Sequence, residues 1–209
     1  MARTASSFKR RPSRFKPNPT VLILCEDSQS GKTYLEDARL HFRALAIVEI
    51  AHCGNTDPLG IVNEAIRRRR QFDEVFCAID RDRHANFDEA LRIAGGYPNV
   101  TPIVSYPCFE YWLLLHFRYT DRPYVEQGRL SPADVLIREL RGCPGFEDYA
   151  KGEKSSPFNR LAGDPLQAAR RWGPRTRTDA ETRGNLNPST SLDLLIDKLE
   201  ALGEPESLA

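Results

Sequence analysis

Apolar residues along this chain fall into short unbroken runs, and between them lie stretches with helical spacing. The run VLILC, Val21 to Cys25, has the length and continuity of a strand buried on both faces. From Thr33 to Leu45 the residues Tyr34, Leu35, Ala38, Phe42 and Leu45 share one broad stripe, which predicts a helix. Ile47 to Cys53 reads as a second strand. Asp57-Pro58 then opens another helix, with Asp as cap and Pro in the first turn. Leu59, Val62, Ala65 and Ile66 line its inner face before the run RRRR at 67–70. EVFCAID predicts a third strand, running out into Arg81-Asp82. Asn86 is placed to cap the helix FDEALRIAGG, which stops at a glycine pair. VTPIVSY gives a fourth strand, and CFEYWLLLHF an almost wholly apolar helix.

Strands alternating with helices over residues 21–117 predict a three-layer α/β domain around a mostly parallel sheet. Beyond residue 118 the pattern is broken by Pro and Gly. Helices are expected there at about 132–141 and 165–172. NPSTSLDLLIDKLEAL closes the chain as an amphipathic helix with Leu192, Leu195, Ile196 and Leu199 on one side. The organisation so read is a basic arm over 1–19, an α/β domain over 20–117, and a helical and loop extension over 118–209 packing on the same domain.

Composition changes this picture little. At 40% hydrophobic and 28% charged residues the chain reads as an ordinary soluble protein. No apolar run approaches a membrane span, and no signal-peptide core follows the basic start. The five cysteines have no paired spacing, which argues against a zinc site or disulfide framework and suits a reducing cytoplasm. Charge is uneven. Arg3, Lys9, Arg10, Arg11, Arg14 and Lys16 give the first 25 residues +6 against +1 overall, leaving −5 for the rest. Such an arm is either a solubilising tail or a contact for phosphate backbone.

VLILCEDSQSGKTY ends in Gly31-Lys32-Thr33, as a phosphate-binding loop would. That loop needs glycine five positions before Gly31, where backbone N–H groups close around phosphates. Glu26 stands there instead, and its carboxylate would repel a triphosphate. A strand ending in an acid needs another explanation.

In an open parallel sheet, ligands bind beyond the carboxyl ends of the strands. Glu26 follows the first strand and Asp80 ends the third, with Asp82 two residues on. In extended backbone Asp80 and Asp82 would point the same way. Three carboxylates on one rim repel unless a cation sits between them, and oxygen-only ligands suit Mg²⁺ or Mn²⁺. Local readings remain for each: Asp82 as a turn or cap residue, Glu26 paired with Lys32, RDR as a solvated loop. Glu110, near the start of the apolar helix and facing inward, is a fourth candidate ligand. His116 lies about 120° around that helix from Glu110 and reads as a satisfied core histidine.

Taken together, VLILCED…TYLEDAR, CGNTDPLGIVNEAI, DEVFCAIDRDRHANFDEAL, SYPCFEYWLLLHF and NPSTSLDLLI resemble the RloB family, grouped with AbiL-type abortive-infection proteins. The resemblance runs from residue 21 to about 196. It implies a Toprim-like fold, shared with topoisomerases, primases and several nucleases, whose site is one Glu after the first strand and a D-x-D after the third. By that match Glu26, Asp80 and Asp82 would be metal-binding and catalytic acids. The chain departs from the C-E-G and T-E that family members often carry, reading CEDSQSGKT. The resemblance further implies antiphage defence beside a neighbouring ATPase subunit.

Two readings follow. In the first the chain is a divalent-metal-dependent nuclease cleaving DNA or RNA. Glu26, Asp80, Asp82 and Lys32 would carry catalysis, and Glu110 would join the three acids on the metal. Glu26 could alternatively serve as general acid or base. Lys32 and Arg81 would contact phosphate oxygens. Arg10, Arg11, Arg14 and Lys16 of the arm, with Arg171, Arg175 and Arg177 of RRWGPRTR, would hold the backbone. In the second the chain is a non-catalytic nucleic-acid-binding sensor or regulatory subunit of the ATPase. A homo-oligomer is left open by both. An aspartyl-nucleophile phosphatase fits poorly, because its D-x-D would close the first strand rather than the third.

Overall fold

The computed structural model describes residues 19–44, 47–54, 57–82, 84–152 and 157–204. Four parallel strands form its centre: β1 (Thr20–Cys25), β2 (Ile47–His52), β3 (Glu74–Asp80) and β4 (Val100–Tyr106), in the order β2-β1-β3-β4. Side chains alternate across the sheet with period two. Val21, Ile23 and Cys25 of β1 pack with Tyr34, Leu35 and Ala38 of α1 (Ser30–His41). Leu22 and Leu24 face the other way, against α2 (Pro58–Arg68) and α3 (Phe87–Ala94). The three-layer α/β reading therefore holds. β1, β3 and β4 lie within a residue of their expected bounds, because strands buried on both faces are written as continuous apolar runs. Among the described residues no helix is long and apolar enough to cross a membrane.

The α1 layer also receives the later segments: α4 (Glu110–Leu114), α5 (Pro132–Leu140), α6 (Phe158–Leu161), α7 (Asp164–Arg183) and α8 (Leu192–Gly203). Trp112, Leu136, Leu195, Ile196 and Leu199 join the core cluster built on β1 and α1. A fifth strand, β5 (Ser189–Thr190), runs antiparallel to the end of β4 and was not expected. Two residues carry no period, and what holds them is a tertiary bond, Ser105 Oγ to Thr190 Oγ1 at 3.0 Å.

Three helices differ from their sequence patterns. α1 begins at Ser30 rather than Thr33, because the Asp27 carboxylate accepts from the Gln29 and Gly31 N–H groups at 2.5 and 3.0 Å. The apolar segment CFEYWLLLHF is α-helical only over Glu110–Leu114, although Tyr111 through Leu115 are wholly buried. α7 runs on through Pro174 to Arg183, where the pattern suggested an end near 172. Proline removes one helical hydrogen bond. Tertiary contacts outweigh that loss: Arg177 donates to both Asp193 carboxylate oxygens at 2.5 and 2.8 Å and to the Thr190 carbonyl at 2.7 Å. Gly173 makes the approach feasible, since a Cβ there would fall 2.6 Å from Asp193 Cγ.

Candidate active site

The chain leaves β1 toward β2 on one side and β3 toward β4 on the other, so the switch point of the sheet lies between β1 and β3. Cys25 stands opposite Ala78 in their parallel register, and the residues that follow emerge side by side at the carboxyl edge. Glu26 N–H donates to the Ala78 carbonyl at 3.1 Å. Its side chain turns to β3, where Oε2 accepts the Asp80 N–H at 2.8 Å. The other oxygen, Oε1, lies 3.1 Å from Nε2 of His84, which donates when that nitrogen carries the proton.

Electrostatics at this rim follow from crowding. Burial pushes the Asp80 carboxyl well above the usual carboxylate range, and the charges of Glu26 and Glu110 push it further. Lys151 and the Phe109 N–H act the opposite way. Glu26 is likewise raised, chiefly by burial, against the Asp80 N–H, His84 and Lys151. The Cys108 thiol is raised by burial and by Glu110 and Asp80. Beneath the two strand-end acids is a cavity of about 30 Å³ lined by Glu26, Asp27, Asp80, Ser105, Phe109 and Leu192, among others. It has room for a water-sized guest.

Glu110 is fully buried in the first turn of α4, facing inward as its position suggested. Its Oε1 accepts the Tyr149 hydroxyl at 3.1 Å, while Oε2 has no hydrogen-bond partner among the described residues. A buried carboxylate oxygen without a partner calls for one. The segment after Tyr149 is pinned on both sides. Arg141 Nε donates to the Tyr149 carbonyl at 2.8 Å, and Gly152 N–H donates to Ser30 Oγ at 2.9 Å. Between these anchors is Lys151. The residue as a whole is exposed, though its surroundings partly desolvate the ammonium and work against its charge; Glu110 and Asp80 nonetheless raise its affinity for a proton above the ordinary lysine value.

The other expected residues are placed as follows. β3 ends at Asp80, and Asp82 sits exposed on the following turn with φ +27° and its N–H on the Pro107 carbonyl at 3.1 Å. The extended backbone that would have aimed Asp82 alongside Asp80 is therefore not present. Lys32 donates to Glu36 at 2.8 Å, one turn along α1, rather than to Glu26. Arg81 donates to the His84 carbonyl at 3.1 Å and lies over the Phe87 ring at 4.9 Å. Arg171 is exposed. Arg175 meets Asp179 at 3.4 Å and covers the Tyr119 ring. Arg177 is taken up by the Asp193 pair inside the helical layer. Arg10, Arg11, Arg14 and Lys16 lie outside the described residues. His116 is a core residue: Nδ1–H donates to the Trp112 carbonyl at 2.9 Å, and Nε2 faces the Tyr34 hydroxyl at 3.2 Å.

Sequence reasoning missed His84, Tyr149 and Lys151. His84 follows the third strand by four residues, inside the loop that the D-x-D had already marked. Nothing local distinguishes Tyr149 or Lys151, which reach the rim from 69 and 71 positions beyond Asp80 only through the fold.

Fold and site together define a three-layer α/β protein with carboxylates gathered at the switch point of its sheet. A family described as RloB-like protein matches residues 21–199, and the chain belongs to that family. No curated protein and no solved structure gives a significant match.

Proposed function

We propose that this chain is a divalent-metal-dependent nuclease, an effector of phage defence that cleaves DNA or RNA phosphodiesters, with a Toprim-like arrangement of acids. The observation that carries the reading is the pair of strand-end acids at the switch point, where Glu26 Oε2 accepts the Asp80 N–H at 2.8 Å and burial, with the charges of Glu26 and Glu110, raises the Asp80 carboxyl. Among the described residues no group of three or more His, Cys, Asp and Glu side chains is placed so that it could hold a metal ion. The chemistry of the donors nonetheless fits a hard cation: they are all oxygens, they repel one another, and Glu110 Oε2 has no hydrogen-bond partner among the described residues. Glu26, Asp80 and Glu110 would hold Mg²⁺ or Mn²⁺, with Asp82 on the adjoining turn. When bound, the ion would polarise a phosphodiester and stabilise charge on its departing oxygen.

The protein's own groups divide the remaining work. Glu26, with a raised carboxyl and His84 on Oε1, can hold a proton and pass it at that atom. Lys151 supplies positive charge near the acids, where a phosphate would otherwise be repelled. Membership of the RloB-like family supports a role in phage defence, and a neighbouring ATPase is the partner proposed with it.

The test is cleavage by the purified chain. With MgCl₂ or MnCl₂ it should cut plasmid, single-stranded DNA or RNA, and Asp80→Ala should abolish this while the circular dichroism spectrum is kept. Equal cleavage by Asp80→Ala overturns the reading. One observation favours a second reading, a non-catalytic nucleic-acid-binding regulatory subunit: the Lys151 ammonium already supplies positive charge to Asp80 and Glu110. Cleavage by the isolated chain ends that alternative.

A further inference from the structure

A second concavity, of about 290 Å³, is bordered by the segment that carries Lys151. Leu130 and Ile137 give it apolar walls, and Arg138, Arg141 and Lys151 face it with three cationic side chains, all on exposed residues. Arg138 donates to the Gln127 amide oxygen at 2.7 Å and Arg141 to the Tyr149 carbonyl at 2.8 Å. Both acceptors are neutral, so these bonds fix the guanidinium groups without cancelling their charge. Among the described lining residues Asp134 is the one acid; its Oδ2 accepts the Ser131 N–H and hydroxyl in the capping box of α5, and the three cations outnumber it. Lys151 belongs to both places. It lines this cleft, and its charge acts on Asp80 and Glu110 at the rim.

We infer that the cleft between α5 and the Ala150–Lys151 segment binds the phosphodiester backbone of a nucleic-acid strand, next to the phosphate presented to the carboxylates. The inference rests on the nuclease reading for its choice of ligand, and it names the path of the strand, which that reading leaves open. Cationic groups held at fixed positions bind successive phosphates, and apolar walls between them suit sugar and base faces. Arg175 and Arg177 are poorer candidates, since each already pairs with a carboxylate.

The experiment is fluorescence anisotropy of a labelled single-stranded oligonucleotide and of its duplex, in EDTA, at a series of salt concentrations. The proteins compared are the full chain, Arg138→Ala/Lys151→Ala and Arg171→Ala/Arg175→Ala. Loss of two phosphate contacts should weaken binding at least about tenfold at low salt. It should flatten the log–log salt slope by about 1.4 for the single strand or about 1.8 for duplex. The Arg171/Arg175 variant should stay within about twofold of the unaltered chain, as expected of residues off the strand's path. Unchanged affinity and slope in the Arg138/Lys151 variant, or no binding by the unaltered chain, overturns the inference. Salt-dependent binding through the cleft without cleavage in Mn²⁺ removes the nuclease reading and leaves the cleft standing. Cleavage with binding indifferent to Arg138 and Lys151 does the reverse.

Discussion

Two regions meet at the rim, and they bring their residues there by different means. The first is the sheet, residues 20–106, where Glu26 and Asp80 are fixed by strand ends and by parallel register. The second is the stretch beyond residue 118, whose helices cover the α1 face and whose Tyr149 and Lys151 set the surroundings of the acids. Strand geometry places the two strand-end acids, and burial first, then the surrounding charges, sets how tightly they hold a proton. A change in the first region should therefore act on chemistry, and a change in the second on stability or on charge balance.

The largest effect is expected at Asp80. Asp80→Asn should lower cleavage by more than about a hundredfold, the scale seen when a main transition-state stabiliser is lost. It should also raise the melting midpoint of the metal-free protein. The folded carboxyl binds its proton more tightly than an unfolded one, so its contribution is favourable only at low pH and is lost as pH rises through the raised value. At neutral pH the neutral side chain relieves that strain, and a gain of about 2–4 °C per kcal/mol is readable by calorimetry. A fall in the midpoint would break the contrast, by making Asp80 a structural residue.

In the second region the largest effect is on folding. Arg177→Met strands Asp193, which is 1% exposed, and should destabilise by about 3–5 kcal/mol in urea titrations. Arg177→Met with Asp193→Leu should recover much of that loss. A smaller, pH-dependent effect belongs to His116, whose burial lowers it to about 4. Unfolding releases the ring to take up a proton below its ordinary value. Stability should therefore fall by about 3 kcal/mol as pH drops from 6.5 toward 4, and His116→Gln should flatten this part of the profile. The smallest effect is at Tyr149. Tyr149→Phe removes the hydroxyl that Glu110 accepts, with an expected loss of about 1–3 kcal/mol and cleavage reduced less than about tenfold.

How much of this was legible follows the same division. β3 and β4 could be bounded to the residue, and the two strand-end acids with them, because burial on both faces is written locally as apolar runs. Glu110 could be aimed inward from helix spacing alone. Asp82 could not be placed, because a single positive φ after β3 undoes the alternation on which its direction depended. RRWGPRTR was hard to read for a related reason. Arginine is written the same way whether it faces phosphate or a buried carboxylate, and only the approach of α8 across Gly173 tells Arg177 which it meets. Tyr149 and Lys151 left no local trace, since Glu110, which Tyr149 touches, lies 39 positions away, and Ser30, which anchors Gly152 beside Lys151, lies 122 positions from that glycine.

The central claim is that Glu26, Asp80 and Glu110 are gathered for a cation, and Mn²⁺ binding followed by electron paramagnetic resonance tests it most directly. The unaltered chain should quench the free-ion signal at a stoichiometry of one or two ions per chain, and Asp80→Asn and Glu110→Gln should each restore it, with Asp88→Asn on α3 as the unaffected control. Equal quenching by the Asp80→Asn protein, or none by the unaltered chain, would contradict the account.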